Sequence, residues 1–269
     1  MKNIFKNLLL IAFVLALIYT GKDTIIGLFN PVIDEYESEY ICVMSREDGT
    51  IEYEKNSNDK AYPASLTKIM TIIVALENIE DLSAIAPVDI DSYREMVEKN
   101  SSMAGFYGNE QVTYRDLLYG TMLPSGGEAA NSLAINVAGD IDNFVDMMNE
   151  KAVELELKNT HFTSPEGFHD KNQYTTAYDM AKLLDYALDN GHFRAIFTKE
   201  TFNTTSTPDH LNGITLQSTV LSKLHGVSQD GFEIIGGKSG TTYEAGQCWA
   251  TLAIKDDVEY LAVVMGASL

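Results

Sequence analysis

Strand-like patterning lies near the two ends of this chain and helix-like patterning fills the middle, and that order limits the folds open to it. Residues 39–46 (EYICVMSR) and 50–55 (TIEYEK) flank the turn residues Glu47-Asp48-Gly49 and read as a hairpin. Near the other end, Phe232 to Gly236, Gly246 to Ile254 and Val258 to Met265 read as strands, with Lys255-Asp256-Asp257 turning between the last two. From about 88 to 190 the apolar spacing is helical, in Asp116 to Leu118, Ala129 to Ala138, Phe144 to Leu155 and Ala177 to Leu188, and Gly191 reads as a C-cap. Leu66 to Ile79 (LTKIMTIIVALENI) is apolar almost all round, which predicts a helix buried on most sides. The order strands, helices, strands predicts an α/β (α+β) fold. Its antiparallel sheet is built from both chain ends, and a helical subdomain, about 80–190, is inserted between them.

Composition narrows the function classes. The 269 residues hold 19 Lys+Arg against 39 Asp+Glu, a formal charge of −20, and so acidic a surface repels phosphate backbones, which excludes a nucleic-acid partner. Two cysteines, Cys42 and Cys248, are too few for a disulfide scaffold or a four-cysteine zinc site. Met1 to Lys6 carries two lysines and no acid, and Leu8 to Tyr19 then runs without a charge. Residues 1–30 therefore read as a secretory signal or as a retained N-terminal membrane anchor. Both readings place residues 36–269 outside the cytoplasm, secreted or anchored to the outer face of the membrane.

Three short segments could carry chemistry. Ser65-Leu66-Thr67-Lys68 opens the apolar helix two residues after Pro63. Positions i and i+3 share a helix face, so Lys68 can reach the Ser65 hydroxyl. A buried Lys68 could shed its charge and accept the serine proton; the plain alternative for Ser65 is an N-cap. A second Ser-x-x-Lys, Ser57 to Lys60, sits in a polar loop and is read as solvated. Lys238-Ser239-Gly240-Thr241 on a strand suits recognition of a peptide carboxylate, or is a solvated turn. Ser125-Gly126-Gly127 opens the Ala-rich helix, where a serine caps the helix or, in company, relays a proton.

Together and in this chain order, Ser-x-x-Lys, a Ser-Gly element and Lys-Ser-Gly resemble the signature of penicillin-recognising serine enzymes. The chain resembles in particular the low-molecular-mass penicillin-binding proteins that are serine D-alanyl-D-alanine carboxypeptidases. The likeness spans roughly residues 36–267. It includes Tyr53 to Asn56, Pro63 to Thr71, Tyr114 to Ala130 (YRDLLYGTMLPSGGEAA), Met148 to Met180 and Gly236 to Cys248 (GGKSGTTYEAGQC).

The resemblance implies the β-lactamase/penicillin-binding-protein-like transpeptidase fold. It also implies removal of the terminal D-Ala from peptidoglycan pentapeptides ending in D-Ala-D-Ala through an acyl-enzyme, with β-lactams as covalent inhibitors and no metal or cofactor. By motif match Ser65 is the nucleophile, Lys68 its base and Ser125 the proton relay. Lys238 and Ser239 hold the terminal carboxylate, Gly240 leaves room for substrate against the backbone, and the N–H groups of Ser65 and Thr241 form the oxyanion hole. The second motif departs from the family pattern: where asparagine is usual, this chain has Gly127. Glycine brings no amide to the lysine and the substrate carbonyl, so Gly127 is expected to act as a simple deletion of that group.

Two alternatives share the fold. A non-catalytic stem-peptide binder would fit the loss of the amide. A class A β-lactamase would need Glu-x-x-Leu-Asn between the second and third motifs, which the sequence lacks. His161 and Glu166-x-x-His169 invite a zinc peptidase, but no His-Glu-x-x-His occurs.

Overall fold

A computed structural model describes residues 37–229 and 231–269; the segment read as a signal or anchor, 1–30, lies outside them. Two groups of strands meet in one sheet. β1 (Tyr40–Ser45) and β2 (Ile51–Lys55) form the first hairpin; β3 (Ile85–Pro87) pairs with β4 (Gln111–Thr113) and β5 (Thr201–Asn203) with β6 (Thr215–Gln217) in two small ladders outside this sheet; and β7 (Glu233–Thr242), β8 (Gly246–Lys255) and β9 (Val258–Ala267) form a meander. The sheet order is β2-β1-β9-β8-β7, antiparallel throughout. The antiparallel sheet drawn from both chain ends is thus as the sequence predicts. The β8–β9 turn places Asp256 and Asp257 at φ +50° and +64°, a left-handed pair that aspartate tolerates and that a tight hairpin requires.

Side chains alternate across the sheet. Cys42, Met44, Ala250, Leu252, Val263 and Met265 face the helices, whereas Ile41, Val43, Trp249 and Val264 pack on the opposite face with Val220, Leu224 and Phe232. Cys42 lies opposite Val263, and Val263 opposite Ala250, so β9 separates the two cysteine-bearing strands. Both thiols are free, and burial pushes each up to about 12.

The buried apolar segment becomes α1 (Lys68–Asn78), in which every residue from Lys68 to Leu76 is buried. Around it lie α2 (Ile90–Glu98), α3 (Tyr114–Met122), α4 (Gly127–Ala138), α5 (Ile141–Glu154) and α6 (Ala177–Asp189), followed by the short α7 (Gly191–Phe197). α1 packs against α3, α4, α5 and α6, which explains why it carries no polar face. Side chains of Asp89, Thr113, Asp140, Thr176 and Asn190 accept first-turn N–H groups and fix five of these helix starts.

Two elements differ from the sequence reading. Gly191 does not cap α6: it is the first residue of α7, and Asn190 ends one helix in extended backbone while capping the next. β7 does not end at Gly236 but runs on through Lys238-Ser239-Gly240, so the third motif lies on the strand and is not a solvated turn. Among the described residues no helix is long and apolar enough to cross a membrane.

Candidate active site

Ser65 sits in a 3₁₀ turn, Ala64–Thr67, that feeds directly into α1. Pro63 precedes the turn, and no side chain caps it, so the Ser65 hydroxyl is not spent on a cap. Ala64 holds φ +46°, a strained value for a residue with a Cβ, and its neighbours are buried while Ser65 stays half-exposed. Lys68 Nζ donates to Ser65 Oγ at 3.1 Å. Lys68 is 2% exposed, and burial lowers its pKa to about 8 against the opposing charges of Glu166 and Glu128.

A strap crosses this turn. Lys68 Nζ also donates to the Glu166 carbonyl, and Thr71 Oγ1 donates to the Pro165 carbonyl at 2.7 Å. Gly167 follows at φ +88°, where a Cβ would stand 2.2 Å from the Ala64 carbonyl oxygen. Glycine is required there by both conformation and space.

β7 is an edge strand, and its free side lies on the nucleophile turn. A Cβ on Gly240 would come within 2.8 Å of the Ser65 nitrogen and 3.1 Å of the Leu66 nitrogen, so only glycine lets strand and turn approach this closely. Lys238, fully buried, donates to Ser125 Oγ at 2.8 Å and to the Ser239 carbonyl at 2.7 Å. Burial lowers its pKa well below the usual ammonium range, and the charges of Lys68 and Lys223 push the same way. Ser125 lies in the loop between α3 and α4 at φ +65°, with its hydroxyl turned inward. Thr241 is exposed at the end of this motif.

The fold therefore brings Ser65, Lys68, Ser125, Lys238, Ser239, Gly240 and Thr241 to one cleft between the sheet edge and the helices. Gly127 is the first residue of α4 and donates its N–H to the Ser102 carbonyl at 2.8 Å. A Cβ there would meet Ser101 Oγ at 2.6 Å and Met96 Sδ at 2.7 Å. This corrects the simple-deletion reading: the space of the missing side chain is filled.

Three participants escaped the sequence reading. Thr219 Oγ1 lies 2.7 Å from Ser239 Oγ, adding a hydroxyl beside the third motif, and no pattern marks that loop residue. Glu166 lends its carbonyl and charge to Lys68 from a segment where it looked like half of a metal motif. Glu128, fully buried next to the second motif, accepts from the Ala104 and Gly105 N–H groups at 2.7 and 3.0 Å, and burial raises its pKa.

The decoy pair separates. Ser57 is not solvated: it is buried and donates to Glu54, while the exposed Lys60 reaches the Lys171 carbonyl instead. His161 and His169 likewise part company. His161 Nδ1 lies 2.8 Å from the Asn172 carbonyl, and the His169 ring sits edge-on to Tyr62 with centroids 4.6 Å apart.

A half-exposed serine on a strained turn, hydrogen-bonded to a buried lysine and beside a second serine–lysine pair on a sheet edge, defines a site of the penicillin-recognising serine class. A family model described as D-alanyl-D-alanine carboxypeptidase matches residues 29–269, and the chain belongs to that family. It is 30% identical over 233 residues to D-alanyl-D-alanine carboxypeptidase DacF of Bacillus subtilis, covering 87% of this chain and 58% of that protein. To the D-alanyl-D-alanine carboxypeptidase of Streptomyces sp. K15 it is 31% identical over 233 residues, covering 84% and 79%. The crystal structure of the Streptomyces K15 DD-transpeptidase superimposes with a TM-score of 0.79 at 30% identity, over 87% of this chain and 91% of that one. Penicillin-binding protein 5 from Haemophilus influenzae gives 0.75 at 28%, over 87% and 66%. The chain spans about three fifths of the length of the DacF and DacA relatives it matches. The β-lactamase/penicillin-binding-protein fold expected from the motifs is the fold observed.

Proposed function

We propose that this chain is a serine D-alanyl-D-alanine carboxypeptidase acting on peptidoglycan stem peptides. The observation that carries the reading is the 3.1 Å contact between a buried Lys68 and the Ser65 hydroxyl, with a lysine pKa brought near neutrality. A base poised there is half neutral at mildly alkaline pH and can accept the serine proton.

Ser65 Oγ attacks the carbonyl carbon of the penultimate D-Ala as its proton passes to Lys68. The developing oxyanion is met by the N–H groups of Ser65 and Thr241. Collapse breaks the peptide bond, and the departing amine takes its proton by way of the Ser125 hydroxyl. Lys238 and the Ser239–Thr219 hydroxyl pair hold the terminal carboxylate, while the peptide lies along the open edge of β7 as an added strand. Water then attacks the ester, gives its proton back through Lys68 and releases the shortened peptide.

Residues 1–30 act in this reading as the export segment, cleaved or retained as an anchor, and deliver residues 36–269 to the outer side of the membrane. A complete nucleophile–base pair favours turnover over passive binding.

The test is twofold: release of D-Ala from a pentapeptide, and labelling by a fluorescent penicillin with mapping of the labelled residue. The expected label is on Ser65, and Ser65→Ala abolishes both signals. A label on Ser57, or D-Ala release that survives Ser65→Ala, overturns the assignment.

A further inference from the structure

The side chain missing at position 127 leaves no void. Residues 101–105 run alongside 126–128 and are tied to them. Gly127 N–H donates to the Ser102 carbonyl, and the Ala104 and Gly105 N–H groups donate to Glu128. A Cβ on Gly126 would stand 2.8 Å from the Ala104 nitrogen. The space in front of Gly127 is taken by two groups, Met96 Sδ and Ser101 Oγ. Met96 is fully buried, whereas Ser101 is half-exposed, so the hydroxyl is the part of this filling that reaches the open side.

The hydroxyl is also poorly engaged. It bonds to the Ser102 carbonyl at 3.2 Å, long for an O–H donor, and that carbonyl already accepts the Gly127 N–H at 2.8 Å. Exchanging this bond for a better acceptor therefore costs little. Asn131, one turn further along α4, offers no substitute: it is 2% exposed, and its Oδ1 is a buried acceptor without a partner among the described residues.

We propose that the Ser101 hydroxyl takes the place of the absent amide and donates to a backbone carbonyl of the bound stem peptide. Ser101 is then a substrate-positioning residue. The inference rests on the D,D-peptidase reading above and adds the residue that holds the peptide in register. Glycine at 127 and serine at 101 form a pair: the first makes room for the second.

Four proteins test this on one D-Ala-D-Ala peptide: wild type, Ser101→Ala, Gly127→Asn and the double variant, with Ser101→Thr as the hydroxyl-retaining control. Ser101→Ala lowers kcat/KM about three- to tenfold, the range of one neutral hydrogen bond, and Ser101→Thr keeps most of the activity. Gly127→Asn alone brings no gain, because its Cβ meets the Ser101 hydroxyl. In the Ser101→Ala background the hydroxyl is gone and the Met96 thioether, the far end of a flexible side chain, is the group left to yield, so the same asparagine is accommodated and restores kcat/KM. Full activity in Ser101→Ala, or an asparagine effect of equal size in both backgrounds, overturns the proposal. If Ser101→Ala also lowers the melting temperature, the double variant decides: recovered kcat/KM without recovered Tm supports the pairing, and unrecovered kcat/KM overturns it. A wild type that neither releases D-Ala nor binds penicillin defeats the functional reading instead, so the two failures are distinct.

Discussion

The two lysines of the cleft are the same side chain in opposite surroundings. At the nucleophile turn, Lys68 is bonded to Ser65 and to the strap carbonyl of Glu166, with the charges of Glu166 and Glu128 opposing its desolvation. On the sheet edge, Lys238 is bonded to Ser125, and the charges it feels most are those of Lys68 and Lys223. Burial alone lowers both. The neighbours then separate them: carboxylates hold Lys68 up near neutrality, and cations press Lys238 further down. One region is arranged to give and take a proton at working pH. The other is a lysine whose charged form an anion beside it would favour, the role that the proposed function gives to a terminal carboxylate.

The comparison breaks most visibly if Lys68 is removed. Lys68→Met should cut penicillin acylation by about a thousandfold or more, since the base is lost. It should also make the protein more stable. The folded pKa, about 8, is below the 10.5 of a free lysine side chain, so the unfolded chain binds more protons in that window and stability rises with pH across it. At pH 7 the buried lysine thus costs up to about 3 kcal/mol, which methionine recovers. Melting curves of the two proteins should lie furthest apart near pH 7 and converge towards pH 10. A gap that does not change with pH would mean that Lys68 is not desolvated as its position implies.

Lys238→Gln sharpens the other half. A carboxylate bound against a lysine whose pKa is depressed favours the charged form of that lysine, so binding weakens as pH rises through the range in which Lys238 loses its proton. The variant should lose about one to two decades in kcat/KM on a peptide with a free terminal carboxylate, the worth of a hydrogen bond to a charged group. A C-terminally amidated peptide should be nearly indifferent to the change. Calorimetry in two buffers of different ionisation enthalpy, repeated across pH, should show more proton uptake in the wild type than in the variant. Equal uptake in both would place the proton elsewhere.

How much of this was legible beforehand follows from what local pattern can encode. Period-two alternation marked the strands of the sheet, and the order of three motifs marked Ser65, Lys68, Ser125 and Lys238 as a set. Pattern failed wherever a role depends on an approach between distant segments. Ser57 looked solvated because its neighbours are polar, yet it turns inward to Glu54. Gly191 follows a helix and so resembles a cap, but Asn190 had already ended that helix and begun the next. Thr219, Ser101 and Glu166 matter through what lies across from them: a hydroxyl 20 residues on in the chain, a glycine on another helix, and a lysine 98 residues back. Gly240 is legible from sequence only as part of its motif and Gly167 not at all, yet each marks a point where two backbones touch at the nucleophile turn.

The smallest expected effect isolates the electrostatic half of the comparison. Glu166→Gln keeps the backbone carbonyl that accepts from Lys68 and removes only the charge. The Glu166 carboxylate makes no hydrogen bond among the described residues, so glutamine strands no partner. With the negative charge gone, the Lys68 ammonium is less favoured and its pKa falls below the wild-type value of about 8. Acylation needs the neutral amine, so kcat/KM in the wild type climbs with pH through a limb centred near 8, and only about one tenth of the plateau is available at pH 7. In the variant the limb moves to lower pH while the plateau stays. The rate at pH 7 therefore rises, by no more than about tenfold, and the gain vanishes at pH 9. A profile recorded from pH 6 to 10 separates this from any other role. If the plateau falls and the limb stays in place, the Glu166 carboxylate acts on the substrate or on the attacking water, and the contrast between the two lysines rests on Lys238 alone.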